Sequence, residues 1–335
     1  MELRKIGSLT VSPIGMGCMG FSHGYGEVPE ESYSIAAIQK AYAFGCNFFD
    51  TAEAYGRELF FPGHNEELLG KAVEGFRDQV VLATKLHIDE NEITDEMDLS
   101  MVIHSHLKKS LENLRTDYVD LYYLHRVNEL IPVEAVAEVM GELIEEGLIQ
   151  EWGLSQVGVD ILAKAHAVTP VAAVQNLYSM MECDAEKDIF PYCLANGITV
   201  VPFSPIASGF LSGNVTVETS FEGDDVRKFV PQLSKENMVA NQPILAILAE
   251  YAKEKKATNA QISLAWMLHK YPNVVPIPGS KNQARILENL GAWNVRLTDD
   301  EFARLEVELD RITIHGHRGH IETQQATFGH QWENK

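Results

Sequence analysis

Six polar residues each close an apolar run in this chain. They are Asp50 (CNFFD), Lys85 (VVLATK), His125 (YVDLYYLH), Ser155 (IQEWGLS), Gln175 (VAAVQ) and Ser204 (ITVVPFS). A further candidate, Tyr55, lies five residues after Asp50 in FFDTAEAYG. A carboxylate, an ammonium, an imidazole, a phenol and several amides and hydroxyls form a set that core packing rarely needs. Brought together, such groups can hold and transfer protons. The runs recur every 20–40 residues, with a helix-like stretch between most of them. Alternation of this kind implies parallel strands joined by helical crossovers. In a barrel of such strands the carboxyl ends meet at one mouth, which is where these residues stand.

The elements that must position them follow from periodicity and turn chemistry. Residues 2–14 predict a hairpin turning near Gly7 and Ser8, and a first strand ends near Met16. Further strands are expected at 46–50, 79–85, 118–124, 149–154, 171–175, 198–203 and 274–277. The first helix, 30–44, has Ile35, Ala36, Ile38, Ala41 and Tyr42 at helical spacing, and Gly45 suits its end. Helices are also expected at 65–76, 94–114 with an acidic first turn, 132–146, 159–166 and 185–196. Those at 244–255, 260–269, 283–290 and 299–309 crowd around the eighth strand. The reading is a single α/β domain of eight strand–helix units over residues 1–312, with a His- and Gly-containing tail at 313–335. Residues 207–241 are rich in Gly, Ser and Asn with a charged centre, a composition that suits either a functional lid or a disordered segment.

Composition narrows the partners. Apolar residues make up 45% of the 335, and the formal charge is 27 − 48 = −21. That balance argues against nucleic acid or an anionic membrane as partner. The amino terminus lacks the apolar core of a signal peptide, and no apolar run is long enough to span a bilayer. Four cysteines without a C-x-x-C suggest free buried thiols in a reducing compartment. The expectation is a soluble cytoplasmic protein; oligomeric state has no signature in the sequence.

Eight segments in order resemble the aldo-keto reductase family: LTVSPIGMGCMGF, FFDTAEAYG, LATK, DLYYLH, WGLS, VQNLYS, VPFSPIASGFLSG and IPGSKNQARILEN. They span about residues 3–310. The resemblance implies a (β/α)8 TIM barrel that binds NADPH without a Rossmann domain and reduces aldehydes or ketones. It implies a catalytic tetrad of Asp50, Tyr55, Lys85 and His125. Chemistry supports those roles: reduction needs a hydride at carbon and a proton at oxygen. A free phenol titrates at about 10, too high for efficient proton transfer near neutrality. Lys85, held charged by Asp50, is expected to lower the Tyr55 pKa, and His125 to orient the carbonyl oxygen.

The resemblance also assigns the cofactor. Ser155, Gln175 and, one methylene further out than the usual Asn, Gln156 would bind the nicotinamide carboxamide, with Tyr178 stacked on its ring. Backbone from Phe203 to Gly213, including Ser204, Pro205, Ile206, Gly209 and Leu211, would meet the pyrophosphate, with the lid folding over it. Gly17 and Met19 would lie near the cofactor. Ser280, Lys281, Asn282 and Arg285 would hold a 2′-phosphate at a helix start, which favours NADPH over NADH, and Glu288 and Asn289 would contact adenine. Met19, Phe21, Tyr25 and the 57–64 loop are candidate substrate walls around a small carbonyl compound.

Three other readings are weaker. The family also includes reductase-like regulatory subunits of potassium channels, and an intact tetrad is compatible with that role. GMGCMG (15–20) fits a dinucleotide fingerprint, but a Gly- and Pro-containing loop follows where a helix is required. HGHRGH in the tail has alternate histidines, but its glycines and position favour a solvated tail over a metal site.

Overall fold

A computed structural model describes residues 2–89, 92–94 and 98–319. Seven strands form one parallel sheet in sequence order: β3 (Met16–Gly17), β4 (Phe48–Asp50), β5 (Val81–Leu86), β6 (Val119–Leu124), β7 (Ile149–Ser155), β8 (Ala173–Gln175) and β9 (Thr199–Val200). Ahead of them, β1 (Arg4–Ile6) and β2 (Leu9–Val11) make the antiparallel hairpin. The eighth stave, expected at 274–277, carries no regular strand, yet it closes the barrel. Bridges Val200↔Val274 and Gly17↔Gly279 join it to the seventh and first staves. Pro276 and Pro278 explain the irregularity, because each removes a backbone donor from the ladder. The remaining N–H groups are used: Val275 donates to Val200 and Ile277 to Pro202. The chain therefore folds as the expected (β/α)8 barrel.

Strand alternation makes two cores. Phe48, Val81, Ala83, Leu121, Tyr123 and Ala173 point inward, and Ile6, Leu9 and Val11 of the hairpin pack beneath them as a plug. Leu82, Tyr122, Leu124 and Trp152 point outward against the helices. The wall is thin at β7, where a Cβ on Gly153 would lie 2.5 Å from the Ala173 carbonyl oxygen and 2.6 Å from the Tyr123 ring. The inward row of each strand, continued by one pleat, reaches the polar residues at the mouth. Phe48 leads to Asp50, Ala83 to Lys85, Tyr123 to His125 and Ala173 to Gln175. Register aligns them, with Lys85 opposite Tyr123 and Ser155 opposite Gln175.

The outer layer comprises α1 (Glu31–Phe44), α2 (His64–Val73), α3 (Leu99–Leu114), α4 (Val133–Glu145), α5 (Val159–Val168) and α6 (Ile189–Asn196). Then come α7 (Lys235–Ala240), α8 (Gln242–Lys255), α9 (Asn259–Lys270), α10 (Gln283–Gly291) and α11 (Asp299–Leu309). Helix α3 begins at Leu99, where the Asp98 side chain caps it by accepting from the Met101 N–H. Residues 95–97 of the expected acidic first turn lie outside the described residues. Helix α6 is shorter than expected, since 184–186 form a separate 3-10 turn. No helix among the described residues is long and apolar enough to cross a membrane. Cys18, Cys46 and Cys193 are buried free thiols, and Cys183 is half-buried. Burial pushes the Cys46 and Cys193 thiols up to about 12.

The expected solvated tail is contradicted for residues 313–319, which pack back onto the barrel. The Asn241 side chain bonds the His315 backbone in both directions, at 2.9 and 2.8 Å. The Gln232 N–H donates to the His317 carbonyl, and the Arg318 N–H to Glu182 Oε1. Gly316 permits the approach: it has φ 75°, and a Cβ there would sit 2.9 Å from the Gln232 nitrogen. His320, the last histidine of HGHRGH, lies outside the described residues.

Candidate active site

The mouth of the barrel opens into a cavity of about 620 Å³. At its foot lies a fully buried ammonium. Lys85 Nζ donates to Asp50 Oδ1 at 2.5 Å, to the Thr51 carbonyl at 2.6 Å and to the Tyr55 hydroxyl at 3.3 Å. Gln175 Nε2 donates to the other oxygen of Asp50 at 2.7 Å. Asp50 therefore has both oxygens committed, and Lys85 is fixed between carboxylate and phenol. Burial works against charge on Lys85, but Asp50 and Tyr55 outweigh it and hold its pKa above the usual lysine value. Burial likewise raises Asp50, against the pull of Lys85.

Tyr55 departs from the sequence expectation. Burial raises its pKa above the free phenol and outweighs the lowering by Lys85. The phenol is therefore fully protonated at neutral pH, a proton donor with an ammonium in place for the phenolate it leaves. His125 stands edge-on to Tyr55, with ring centroids 5.7 Å apart. Burial first, then Arg126, Lys85, His87 and Arg57, hold its pKa well below the usual imidazole value. His125 is thus neutral at pH 7. Its Nδ1 is buried without a partner among the described residues, and the residue lines the cavity.

Most of the expected cofactor residues meet in this same cavity. Gly17, Met19, Ser155, Gln156, Gln175, Phe203, Ser204, Pro205, Ile206, Gly209, Ser280, Lys281, Asn282, Arg285, Glu288 and Asn289 all line it. Residues beyond the strand ends there hold conformations that L-residues rarely adopt: φ is 56° at Gln156, 51° at Ser204 and, within the 207–212 turn, 54° at Ser208. Such strain clusters where backbone geometry serves a site. At the far end Asn282 caps α10 by accepting from the Arg285 N–H at 3.1 Å. The α10 N-terminus, Arg285 and Lys281 together make a positive corner. The 207–241 segment crosses the opening: Asp224 accepts from the Gly24 N–H, and the Val226 N–H donates to the Gly24 carbonyl at 3.1 Å.

Some expected positions are elsewhere. Tyr178 does not reach the cavity. It is fully buried, donates its hydroxyl to Glu186 at 2.5 Å and stacks on Trp266 at 5.6 Å. The chain beyond β8 turns this ring into the helical layer; Phe203, beyond β9, lines the cavity instead. Leu211 is buried behind the 207–212 turn, and Gly213 caps that turn without lining the cavity. Phe21, a candidate wall, lies in the core, whereas Met19 and Tyr25 do line the cavity. Of the 57–64 loop, Arg57 and Glu58 contribute, while Phe60 and Phe61 pack on His64. Sequence reasoning missed Arg126, His23, Arg227 and Arg318. Arg126 carried a signal, since it directly follows His125; Arg318 sat in the segment read as a tail.

Comparison with known proteins agrees with this geometry. The model of the aldo/keto reductase family matches residues 13–309. The chain is 35% identical to probable aldo-keto reductase 1 of Glycine max, over 88% of this chain and 84% of that protein. It is 34% identical to aldo-keto reductase str7 of Strobilurus tenacellus, over 95% of each. Among solved structures, an aldo/keto reductase from Klebsiella pneumoniae in complex with NADP and acetate superposes with a TM-score of 0.71. It is 25% identical, covering 94% of this chain and 99% of that one. The glycerol dehydrogenase AKR11B4 of Gluconobacter oxydans shares the fold, with a TM-score of 0.80 at 24% identity, over 93% of this chain and 96% of that one. A parallel barrel with Lys85 joining Asp50 to Tyr55 at its mouth, matched over almost its whole length, belongs to the aldo/keto reductase family.

Proposed function

We propose that this protein is an NADPH-dependent reductase of aldehydes or ketones, with Tyr55 as the proton donor. The observation that carries the reading is Lys85 Nζ placed between Asp50 and the Tyr55 hydroxyl, at one end of a cavity whose other end is cationic. The residues present fit the cofactor. Arg285 and Lys281 at the α10 N-terminus suit a 2′-phosphate, Ser155 and Gln156 suit a carboxamide, and the strained turn after Ser204 brings backbone close to a pyrophosphate. Once bound, NADPH supplies the hydride to the carbonyl carbon. Tyr55 gives its proton to the carbonyl oxygen, and Lys85 stabilises the resulting phenolate, so that the carbonyl becomes an alcohol. Neutral His125 hydrogen-bonds that oxygen and orients it. Asp50 and Gln175 fix the ammonium and take no proton.

Tyr55→Phe tests the reading. Carbonyl turnover is expected to fall at least about 10²-fold, the usual weight of general acid catalysis, with NADPH affinity preserved. Undiminished turnover would remove Tyr55 from the mechanism. Wild-type protein that binds NADPH but reduces no member of an aldehyde and ketone panel would overturn the enzymatic reading in favour of a regulatory one.

A further inference from the structure

We infer that the substrate half of the cavity is built for a carbonyl compound carrying a carboxylate, which Arg126 reads. The inference rests on the reductase reading and adds the substrate class. Arg126 follows His125 at the end of β6 and opens into the cavity. Its Nη1 donates to the His125 carbonyl at 2.5 Å and to Ser155 Oγ at 3.1 Å, both uncharged acceptors. No carboxylate pairs with it among the described residues. Two other arginines of the cavity face carboxylates: Arg57 lies 3.7 Å from Asp89 and 3.8 Å from Glu58, and Arg227 pairs with Asp225 at 2.6 Å. Arg285 and Arg318 also lack a paired carboxylate among the described residues, but Arg285 stands at the α10 corner and Arg318 donates to Ser204 Oγ at 3.2 Å. Surrounding protein works against the charge on Arg126, whereas Tyr55 favours it. Arg126 is exposed at the cavity mouth, and a guanidinium beside the proton donor and the carboxamide site without an anion is open to take one.

Geometry and field agree with a carboxylate. The bonds made by Nη1 leave Nε and Nη2 of the fork for two parallel bonds to one carboxylate. The positive corner at α10 lies at the other end of the cavity, so cofactor phosphates bound there do not neutralise Arg126. The cavity lining carries six Lys or Arg against three Asp or Glu, in a chain whose net charge is −21. A local reversal of sign in a cleft concentrates anions there.

The test compares kcat/KM for 4-oxobutanoate and butanal, which differ at the remote end, using the full chain with NADPH. Wild type is expected to favour the acid at least about tenfold, and Arg126→Met to erase that ratio, with Arg126→Lys in between. A wild-type ratio near one overturns the inference, even if Arg126→Met does not fold. So does an equal fall for both substrates in a variant that still binds NADPH, because that is the signature of a residue that only positions Ser155 and His125. If neither compound nor any other carbonyl is reduced, the reductase reading fails by itself. Butyrate binding to the NADPH-loaded protein, read by nicotinamide fluorescence against butyramide, then decides for Arg126 if the variant loses it and against if wild type lacks it.

Discussion

At the tetrad end of the cavity Lys85, Asp50 and Tyr55 are held by one another and by buried polar neighbours, while the His125 ring has Nδ1 without a partner among the described residues. Lys85 joins Asp50, Tyr55 and the Thr51 carbonyl, and Gln175 completes Asp50. All of these stand on, or bond directly to, the inward rows of barrel strands. The α10 end is assembled from loops and a helix start: Lys281 reaches the Tyr25 and Glu27 carbonyls, and Asn282 caps the helix. The C-terminal strap, 313–319, is a third arrangement, tied by backbone bonds to side chains of the 232–241 region and to Glu182. The difference predicts a gradient. Substitutions at the first end should strike folding and chemistry together, at the strap local closure, and at the α10 end binding alone.

The largest effect is expected from Lys85→Met. It strands a fully buried Asp50 carboxylate, and breaking a buried ion pair in this way costs about 3–5 kcal/mol. Chemical denaturation should show that loss, with carbonyl reduction lost in whatever protein remains folded. A variant of unchanged stability would mean that the ammonium is not held as the contacts indicate.

The strap should answer next. Gly316→Ala meets the Gln232 nitrogen and the Pro231 carbonyl carbon at about contact-forbidden range, in a left-handed conformation. A cost of roughly 2 kcal/mol is expected, confined to the strap. Hydrogen exchange at the Arg318 amide, which donates to Glu182, should accelerate while the barrel strands stay protected. Acceleration throughout the barrel would instead make the strap part of the core.

Much of this division was legible in the sequence, and the exceptions have physical causes. Asp50, Lys85, His125 and Gln175 could be placed because strand alternation carries an inward apolar row to a polar end, a rule that needs no tertiary information. The eighth stave was legible as an apolar run, but Pro276 and Pro278 kept it from a regular ladder. Tyr178 was misplaced because no local pattern says which way a loop turns after its strand; burial against Trp266 and Phe190 decides that. Residues 313–319 looked solvated because their anchors, Asn241, Gln232 and Glu182, are far away in the chain. The direction of the Tyr55 shift was missed because burial, which outweighs Lys85, is a property of the assembled mouth.

The α10 end should give a smaller, graded response. Lys281→Ala and Arg285→Ala are each expected to weaken NADPH about tenfold, roughly 1.4 kcal/mol, with little change for NADH. Fluorescence titration with both cofactors separates the outcomes. Equal weakening of NADH would place the two cations on the pyrophosphate and move the 2′-phosphate elsewhere.

The smallest expected effect sharpens the contrast between strap and tetrad through pH. Glu182 is buried, and its carboxyl accepts the Gln232 side-chain amide at 3.0 Å and the Arg318 N–H. Burial pushes its pKa up from 4.5 to about 7. Between those values the folded protein binds the proton more tightly than the unfolded chain does, so stability falls as pH rises through the window. The contribution is fully present below about 4.5 and lost above about 7. Because the strap can open before the barrel unfolds, the global change should be on the order of 1 kcal/mol. Glu182→Gln keeps the shape and an acceptor oxygen but cannot ionise. It should flatten the decline between pH 5 and 8 and slow exchange of the Arg318 amide at pH 8, leaving the tetrad untouched. If the variant instead exchanges faster at pH 8, the ionised carboxylate is the better acceptor, and the strap is held by charge rather than in spite of it.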